Sequence, residues 1–539
     1  MKRYCIILIL IWGVIFSGCA RTPESTLVPP GIQTPDREYS ERAEKTLKIA
    51  EEYFEEGKLP EAIDRYRELL GEEELDKELY VDGSTGLVRA LIYDDQWEEA
   101  LATAQESVLK IKDSAPLYSS LGSAYYALED YQLAGEAFLQ AVELDLHDPS
   151  ANYGLGKICY LQKKTKLAKL FFQKAIRYKD DIPKFYMALA DIFLAERNYA
   201  KAIEYFEIYR SFDLKYDKKT KQLVEAYVKV LKAFGDDPPY QVFAPDVFEI
   251  PFELLLELPV VEASINGHEP RKFVFDTGAS KTCIDKEYAR QIGLKAIAQI
   301  EGKGIAHDIR VSWTKPDSVR LGEFEIRNVL SGIVSMRPML DHLESKKEEG
   351  LLMSSDEEIL ELTGVIGVGN LFKDYCVTLD YKEQVIRVAS DPPDGEAVPV
   401  LKMQMFIRGS MPYLFCAVAG KTPRPFTIDT GAGRTSLYTD YTNLEKIPLS
   451  PAPETSGAAG IGGYHDRMVV EEGDILVGNL YVTISPLTVI TMDREIERVL
   501  KYGVIGNDIL KHVNPTFDFK NAMLIVPVPD EGVKAKNIQ

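Results

Sequence analysis

Three classes of residue in the first half of the chain share one step of 34 positions. Gly122, Gly156 and Ala190 keep it, as do Ala134, Ala168 and Ala202, and so do Phe138, Phe172 and Phe206. A period of that length marks a supersecondary unit that cannot bury its apolar face alone, so successive units must stack into a one-dimensional array. Small residues let the two helices of a unit cross closely, and the aromatic fills the gap left against the next unit. Ala100 keeps the step to Ala134, while Ala50, Tyr53, Ala62 and Tyr66 mark a first unit set off by four extra residues. The count is five units over residues 39–235, with a polar helix from Asp217 to Phe234 closing the open end.

The order Tyr118, Leu121, Gly122, Tyr125, Ala134, Phe138 resembles the tetratricopeptide repeat, with Tyr where that family most often has Trp. The resemblance implies an all-α solenoid with no chemistry of its own. Its concave face would take an extended peptide or helix of a partner protein, or hold a neighbouring domain in place. Cys159 falls where adjacent units carry Tyr125 and Phe193, which is a core position. Cys283, Cys376 and Cys416 lie in apolar runs, and their spacing fits no metal or redox motif, so all four read as buried free thiols.

After Gly235-Asp236-Asp237-Pro238-Pro239 the pattern changes to short β runs separated by Gly and Pro. Here a whole segment is duplicated. The stretch "PVVEASINGHEPRKFVFDTGAS" is followed, 153 residues on, by "PYLFCAVAGKTPRPFTIDTGAG". At that offset Pro259 matches Pro412, Gly267 matches Gly420, Pro270 matches Pro423, Arg271 matches Arg424, and Asp276 matches Asp429. Each Asp-Thr-Gly follows an apolar strand and is followed later by the tetrapeptide GVIG, which contains Val365-Ile366-Gly367 in one copy and Val504-Ile505-Gly506 in the other.

These motifs resemble the retropepsin-like aspartic proteases, in which each small β-barrel domain supplies one Asp-Thr-Gly and two domains make one site. The resemblance spans about Pro251 to Pro529. It implies that Asp276 and Asp429 form a catalytic dyad, two carboxylates that share one proton because both cannot ionise side by side. Gly278 and Gly431 would let the loop turn tightly and offer N–H groups to the carboxylates, and Thr277 and Thr430 would bond across the interface. No cofactor or metal is required, and the dyad titrates as a unit with no separate acid and base assigned. The glycine-rich stretches "GKGIAH" (Gly302 to His307, including Gly304) and "GIGGYH" (Gly460 to His465, including Gly463 and Tyr464) resemble the flap hairpins that close over an extended substrate. The first copy is longer by 14 residues between its Asp and its GVIG, and the charged stretch Asp341 to Leu360 accounts for the surplus, either as a solvated insertion or as an exposed loop or helix near the cleft.

Lys2 and Arg3 precede an apolar run from Tyr4 to Phe16, too short to span a bilayer and right for a signal-peptide core. Phe16-Ser17-Gly18-Cys19 resembles the bacterial lipoprotein box, which implies lipidation of Cys19 and a lipid anchor in the membrane. Ala20, where Asp would mark inner-membrane retention, places the expected address at the outer membrane, facing the periplasm. The formal charge of −21, from 63 basic and 84 acidic residues, excludes nucleic acid as the natural partner. The six histidines form no ligand cluster and there is no Gly-x-Ser-x-Gly elbow, which sets aside metal and serine hydrolysis.

The organisation read from the sequence is therefore a signal peptide with its lipidation site (1–19), a flexible tether (20–38), the repeat solenoid (39–235) and a linker (236–250). Two all-β retropepsin-like domains follow (251–395 and 396–530), forming a pseudo-dimer, and then a tail (531–539). The expected activity is that of a membrane-anchored aspartic-type endopeptidase acting on a protein or peptide substrate. Two alternatives stay open at this point: a non-catalytic peptide-binding envelope lipoprotein that serves as a scaffold, and a dyad assembled between two chains.

Overall fold

The structure, a computed structural model, describes residues 37–72, 75–212, 218–303, 308–348, 354–392, 399–418, 420–451, 458–460, 463–465, 467–470, 473–478, 480–484, 487–490, 502–527 and 534–535. Cys19, Gly304 and His307 lie outside them. No helix of the described residues is long and apolar enough to cross a membrane.

Five antiparallel helix pairs come first: α1 (Arg37–Glu55) with α2 (Leu59–Leu70), α3 (Lys77–Tyr93) with α4 (Trp97–Lys110), α5 (Ala115–Ala127) with α6 (Tyr131–Leu144), α7 (Pro149–Leu161) with α8 (Thr165–Tyr178), and α9 (Pro183–Ala195) with α10 (Tyr199–Ser211). The 34-residue step is the packing rule. A Cβ on Gly122 would sit 2.6 Å from the Phe138 ring of its own unit, and one on Gly154 of the next unit 2.3 Å from the same ring. Gly86 faces Tyr66 in the same way, at 2.3 Å. The turn inside each unit is left-handed: Asp95, Glu129, Lys163 and Arg197 have φ of 61°, 58°, 59° and 61°, again 34 apart, and Gly57 takes that place in the first unit. A side chain in that region costs roughly 1–2 kcal/mol, and three of these four are put to use against the β region.

Helix α11 (Lys218–Lys232) closes the array, with Val224, Val228 and Leu231 buried. The end it covers is not open to solvent. Its other side lies along the strand Ala298–Lys303, and Tyr227 packs between Phe206 (6.1 Å between ring centroids) and Trp313 (5.6 Å).

The β region repeats one topology. In the first copy, Arg271–Asp276 pairs in parallel with Leu362–Gly367, which pairs antiparallel with Cys283–Asp285, which in turn pairs in parallel with Ser331–Val334. In the second copy Arg424–Ile428, Gly503–Ile505, Ser436–Tyr438 and Leu487–Ile490 make the same connections. A third sheet of six strands is shared. Val247–Pro251, Val385–Ala389 and Cys376–Asp380 come from the first copy, and Thr516–Asp518, Met523–Pro527 and Val400–Gln404 from the second. The join is the antiparallel pair in which Thr378 faces Thr516, their hydroxyls 2.8 Å apart. The two copies thus meet within one chain.

Three findings decide or differ from the sequence reading. Of the two readings of the stretch after Asp341, the helix stands over the solvated insertion: helix Arg337–Glu348 packs against the hairpin formed by Ala458–Gly460 and Gly463–His465 of the other copy, with Leu340 and Leu343 against the cluster around Met336, Ile359 and Leu362. Cys159 is half-buried rather than a full core residue, as is Cys283, while Cys376 and Cys416 are buried, and all four are free thiols. Of the two uses expected for the repeat surface, part of it holds a neighbouring domain, since α7 packs against Phe406–Arg408 and Tyr131 lies 5.3 Å from the Phe406 ring.

Candidate active site

Each Asp-Thr-Gly stands where an apolar strand ends. Asp276 closes the buried run Phe273-Val274-Phe275, and Asp429 follows Phe426-Thr427-Ile428. The parallel neighbour fixes the height of each loop. Gly367 lies opposite Asp276 in register, and Asp429 donates its backbone N–H to the Ile505 carbonyl at 3.0 Å.

The two threonines tie the loops to one another with reciprocal bonds. The Thr277 N–H donates to Thr430 Oγ1 and the Thr430 N–H to Thr277 Oγ1, both at 3.0 Å. Each hydroxyl then donates across to the opposite strand, Thr277 to the Ile428 carbonyl at 2.7 Å and Thr430 to the Phe275 carbonyl at 2.6 Å. Both threonines are fully buried, so these four bonds lie in a low-dielectric setting where each is strong and an unmade one is costly.

Gly278 and Gly431 are required by the opposite carboxylate. A Cβ on Gly278 would sit 2.5 Å from Asp429 Oδ2, and one on Gly431 2.5 Å from Asp276 Oδ2. The Gly431 N–H donates to Asp429 Oδ1 at 2.7 Å. Burial, and then the Asp429 charge beside it, hold the Asp276 carboxyl well above the usual carboxylate range, with backbone N–H groups of Gly278 and Ala279 pulling the other way. Burial also raises Asp429, while its hydrogen bond with Asp276 and the N–H groups of Gly431, Gly278 and Ala432 favour its charged form. The two carboxyls titrate as a unit, and burial raises both. Asp276 Oδ1 is buried with no hydrogen-bond partner among the described residues.

The GVIG glycines are close-approach residues. A Cβ on Gly367 would lie 2.5 Å from the Lys281 carbonyl carbon, and one on Gly506 2.5 Å from that of Arg434. Their N–H groups donate to Thr282 Oγ1 (3.3 Å) and Thr435 Oγ1 (3.0 Å). Sequence reasoning passed over these two threonines, although they keep the 153-residue offset. It also passed over Asn507, which had no signal because the first copy carries Val368 there. Asn507 is fully buried, donates to the Thr430 carbonyl at 2.7 Å and accepts from the Tyr381 hydroxyl at 2.5 Å.

Hairpins stand where the glycine-rich stretches predict them. Ala298–Lys303 pairs with Asp308–Thr314, ending at Lys303 opposite Asp308. In the second copy Gly463 pairs with Gly460 and Tyr464 with Ala459. The first hairpin leans on α11 of the repeats and the second on helix Arg337–Glu348 of the other copy. Among the described residues no group of three or more His, Cys, Asp or Glu is placed to hold a metal ion.

Known proteins are similar to each half separately. Residues 261–343 match the family described as "gag-polyprotein putative aspartyl protease", and residues 120–181 and 168–213 match the tetratricopeptide repeat. The type IV pilus assembly protein PilF of Pseudomonas aeruginosa is 24% identical over 209 residues, which cover 38% of this chain and 77% of that protein. Among solved structures, PilF of Pseudomonas aeruginosa aligns with a TM-score of 0.28 at 19% identity, over 37% of this chain and 87% of that one. The tetratricopeptide-repeat protein TTC0263 of Thermus thermophilus aligns with a TM-score of 0.31 at 16% identity, over 34% of this chain and 98% of that one. The chain is thus built from tetratricopeptide repeats followed by a β-rich region that carries a gag-type aspartyl protease domain.

Proposed function

We propose that the chain is an aspartic-type endopeptidase whose single site is made by both β copies, each a retropepsin-like half. The observation that carries this reading is the Asp276–Asp429 pair, held by four reciprocal threonine bonds with a glycine against each carboxylate. Two buried carboxyls side by side destabilise a fold and have no structural use here, since the threonines already join the loops.

The geometry performs hydrolysis as follows. A carboxylate of the pair takes a proton from water as its oxygen attacks the peptide carbonyl, and the protonated carboxyl gives its proton to the carbonyl oxygen. The tetrahedral intermediate collapses as a proton passes to the leaving nitrogen, and the C–N bond breaks. The hairpins cover an extended segment and hold it by its backbone. The repeats serve protein binding and brace the first hairpin. Anchoring through a lipidated Cys19, at the outer membrane facing the periplasm, rests on the lipoprotein-box resemblance. Loss of lipid labelling in Cys19→Ser tests it.

The deciding experiment incubates the full chain with a mixed peptide library from pH 4 to 8, beside Asp276→Asn and Asp429→Asn, and reads products by mass spectrometry. Either substitution is expected to lower cleavage by roughly 10³-fold or more, because neither carboxyl does both proton transfers alone. No cleavage by the folded wild-type chain at any pH would instead support a non-catalytic peptide-binding scaffold.

A further inference from the structure

Between the repeats and the base of the β region lies a cavity of about 640 Å³, a size that holds small ligands or a short peptide segment. Its charge runs against the rest of the chain. Eight cationic side chains line it against three acidic ones, in a protein with 63 basic and 84 acidic residues.

Four of the cations converge from separate elements. Lys163 and Arg197 are the left-handed turn residues of the fourth and fifth units, Lys281 follows the first Asp-Thr-Gly, and Lys373 follows the first GVIG. Lys163 feels the charges of Lys373 and Arg197 against that of Asp374 alone, and Lys281 feels that of Arg197. Little offsets them. Lys373 has Asp374 at 3.2 Å, but Arg197 spends its donors on the carbonyls of Tyr240 (3.4 Å) and Asn370 (3.1 Å), and Lys281 donates to the Ser280 carbonyl at 3.2 Å. Burial pushes the amines of Lys163 and Lys281 down to about 8, the mark of ammonium groups removed from water without an adequate counter-charge. On the facing wall Lys184, over the Tyr153 ring at 5.4 Å, is also held down to about 8 by burial.

Like charges gathered in a desolvated space are destabilising unless an anion joins them. The walls are also rich in tyrosine, including the half-buried Tyr153 and Tyr160, and these rings suit a chain with side chains and a backbone better than a bare ion. We propose that this cavity is a binding site for an acidic peptide segment, its carboxylates meeting the Lys163, Arg197, Lys281 and Lys373 cluster and its backbone lying along the tyrosines. The site is separate from the dyad and does not rest on the proteolytic reading.

The test measures fluorescence anisotropy of labelled hexaglutamate with the full chain carrying Asp276→Asn, so that binding is read whether or not the dyad cuts. Lys163→Gln and Lys281→Gln are each expected to weaken binding by about 10-fold, and Lys48→Gln, an exposed lysine of the first unit, to leave it unchanged. Equal binding by all four proteins, an equal loss in Lys48→Gln, or no binding would overturn the proposal. So would displacement of the peptide by inorganic phosphate at concentrations where phosphate itself binds as tightly, since the site would then take small anions.

Discussion

The two β copies agree at their Asp loops and differ beyond them, even where they touch. Along the axis relating them the features are paired: Asp276 with Asp429, Thr277 with Thr430 and Thr282 with Thr435 at one offset, and the two GVIG glycines at an offset shorter by the 14 residues of the first copy's surplus. Away from it the copies part. The first carries helix Arg337–Glu348 and leans its hairpin on the repeats, and the second has Asn507-Asp508 where the first has Val368-Gly369. Even a matched residue can diverge in use. Arg271 is exposed, while Arg424 donates to the Leu128 carbonyl of the repeats at 3.0 Å. A duplicated chain keeps the loops whose partner is the matching loop of the other copy, because a change there must be answered twice.

The strongest test of that symmetry replaces Gly367 or Gly506 by Ala. Each new Cβ would fall 2.5 Å from a backbone carbon, which cannot swing aside as a side chain can. Each is expected to destabilise by about 3 kcal/mol and to lower cleavage with it. Thermal melting of the two variants would show comparable losses, and a large loss in only one would show that the copies do not bear on their Asp loops alike.

Asn507→Val tests the asymmetry by giving the second copy the residue of the first. It removes the bond to the Thr430 carbonyl and leaves the Tyr381 hydroxyl buried without its acceptor, for a loss of about 1–3 kcal/mol. Val368→Asn in the first copy has no such network to join and is expected to destabilise as well. A neutral Asn507→Val would mean that the second Asp loop needs no more support than the first.

These differences also mark what the sequence could tell. The repeat step, the duplication and the dyad were legible because each is a recurrence: Phe138, Phe172 and Phe206 fill like spaces, and Asp276 and Asp429 stand in like loops. Features held by a conformation that its residue type does not announce were not. Leu256-Glu257 and Gly409-Ser410 are two-residue left-handed turns at the same offset, with φ of 49°, 66°, 57° and 75°, yet only one of the four residues is glycine. The same holds for Glu129, Lys163 and Arg197, whose side chains, not their turn propensity, account for them. Glu129 is 4% exposed and paired with Arg408 at 2.7 Å. The shared sheet was hidden for another reason. Cys376–Asp380 and Thr516–Asp518 are short strands like their neighbours, and nothing in either says that its edge pairs with the other copy.

The dyad itself predicts a pH signature. Both carboxyls are raised by burial in the folded chain above an unfolded value of about 3.9. Their contribution therefore favours folding fully below that value and is lost as the pH rises through the raised folded values. Asp276→Asn is expected to melt a few degrees above the wild type at pH 7–8, with the difference closing toward about pH 4. An equal melting temperature at all pH values would show that the pair is not strained. Asp429→Asn is expected to show the same pH-dependent gain, because the pair titrates as a unit.

The smallest effect lies on the axis. Thr378 and Thr516 face one another across the join of the shared sheet, each hydroxyl the other's partner at 2.8 Å. Thr378→Val or Thr516→Val alone leaves one hydroxyl without that bond, for a loss of about 1 kcal/mol. The double variant removes both groups and puts two β-branched apolar side chains in a cross-strand pair, so it should lose less than the sum of the singles and approach the wild type. A coupling energy near zero would mean that the join is held by its backbone ladder alone. A positive one would place a specific side-chain contact on the axis where the two copies become one unit.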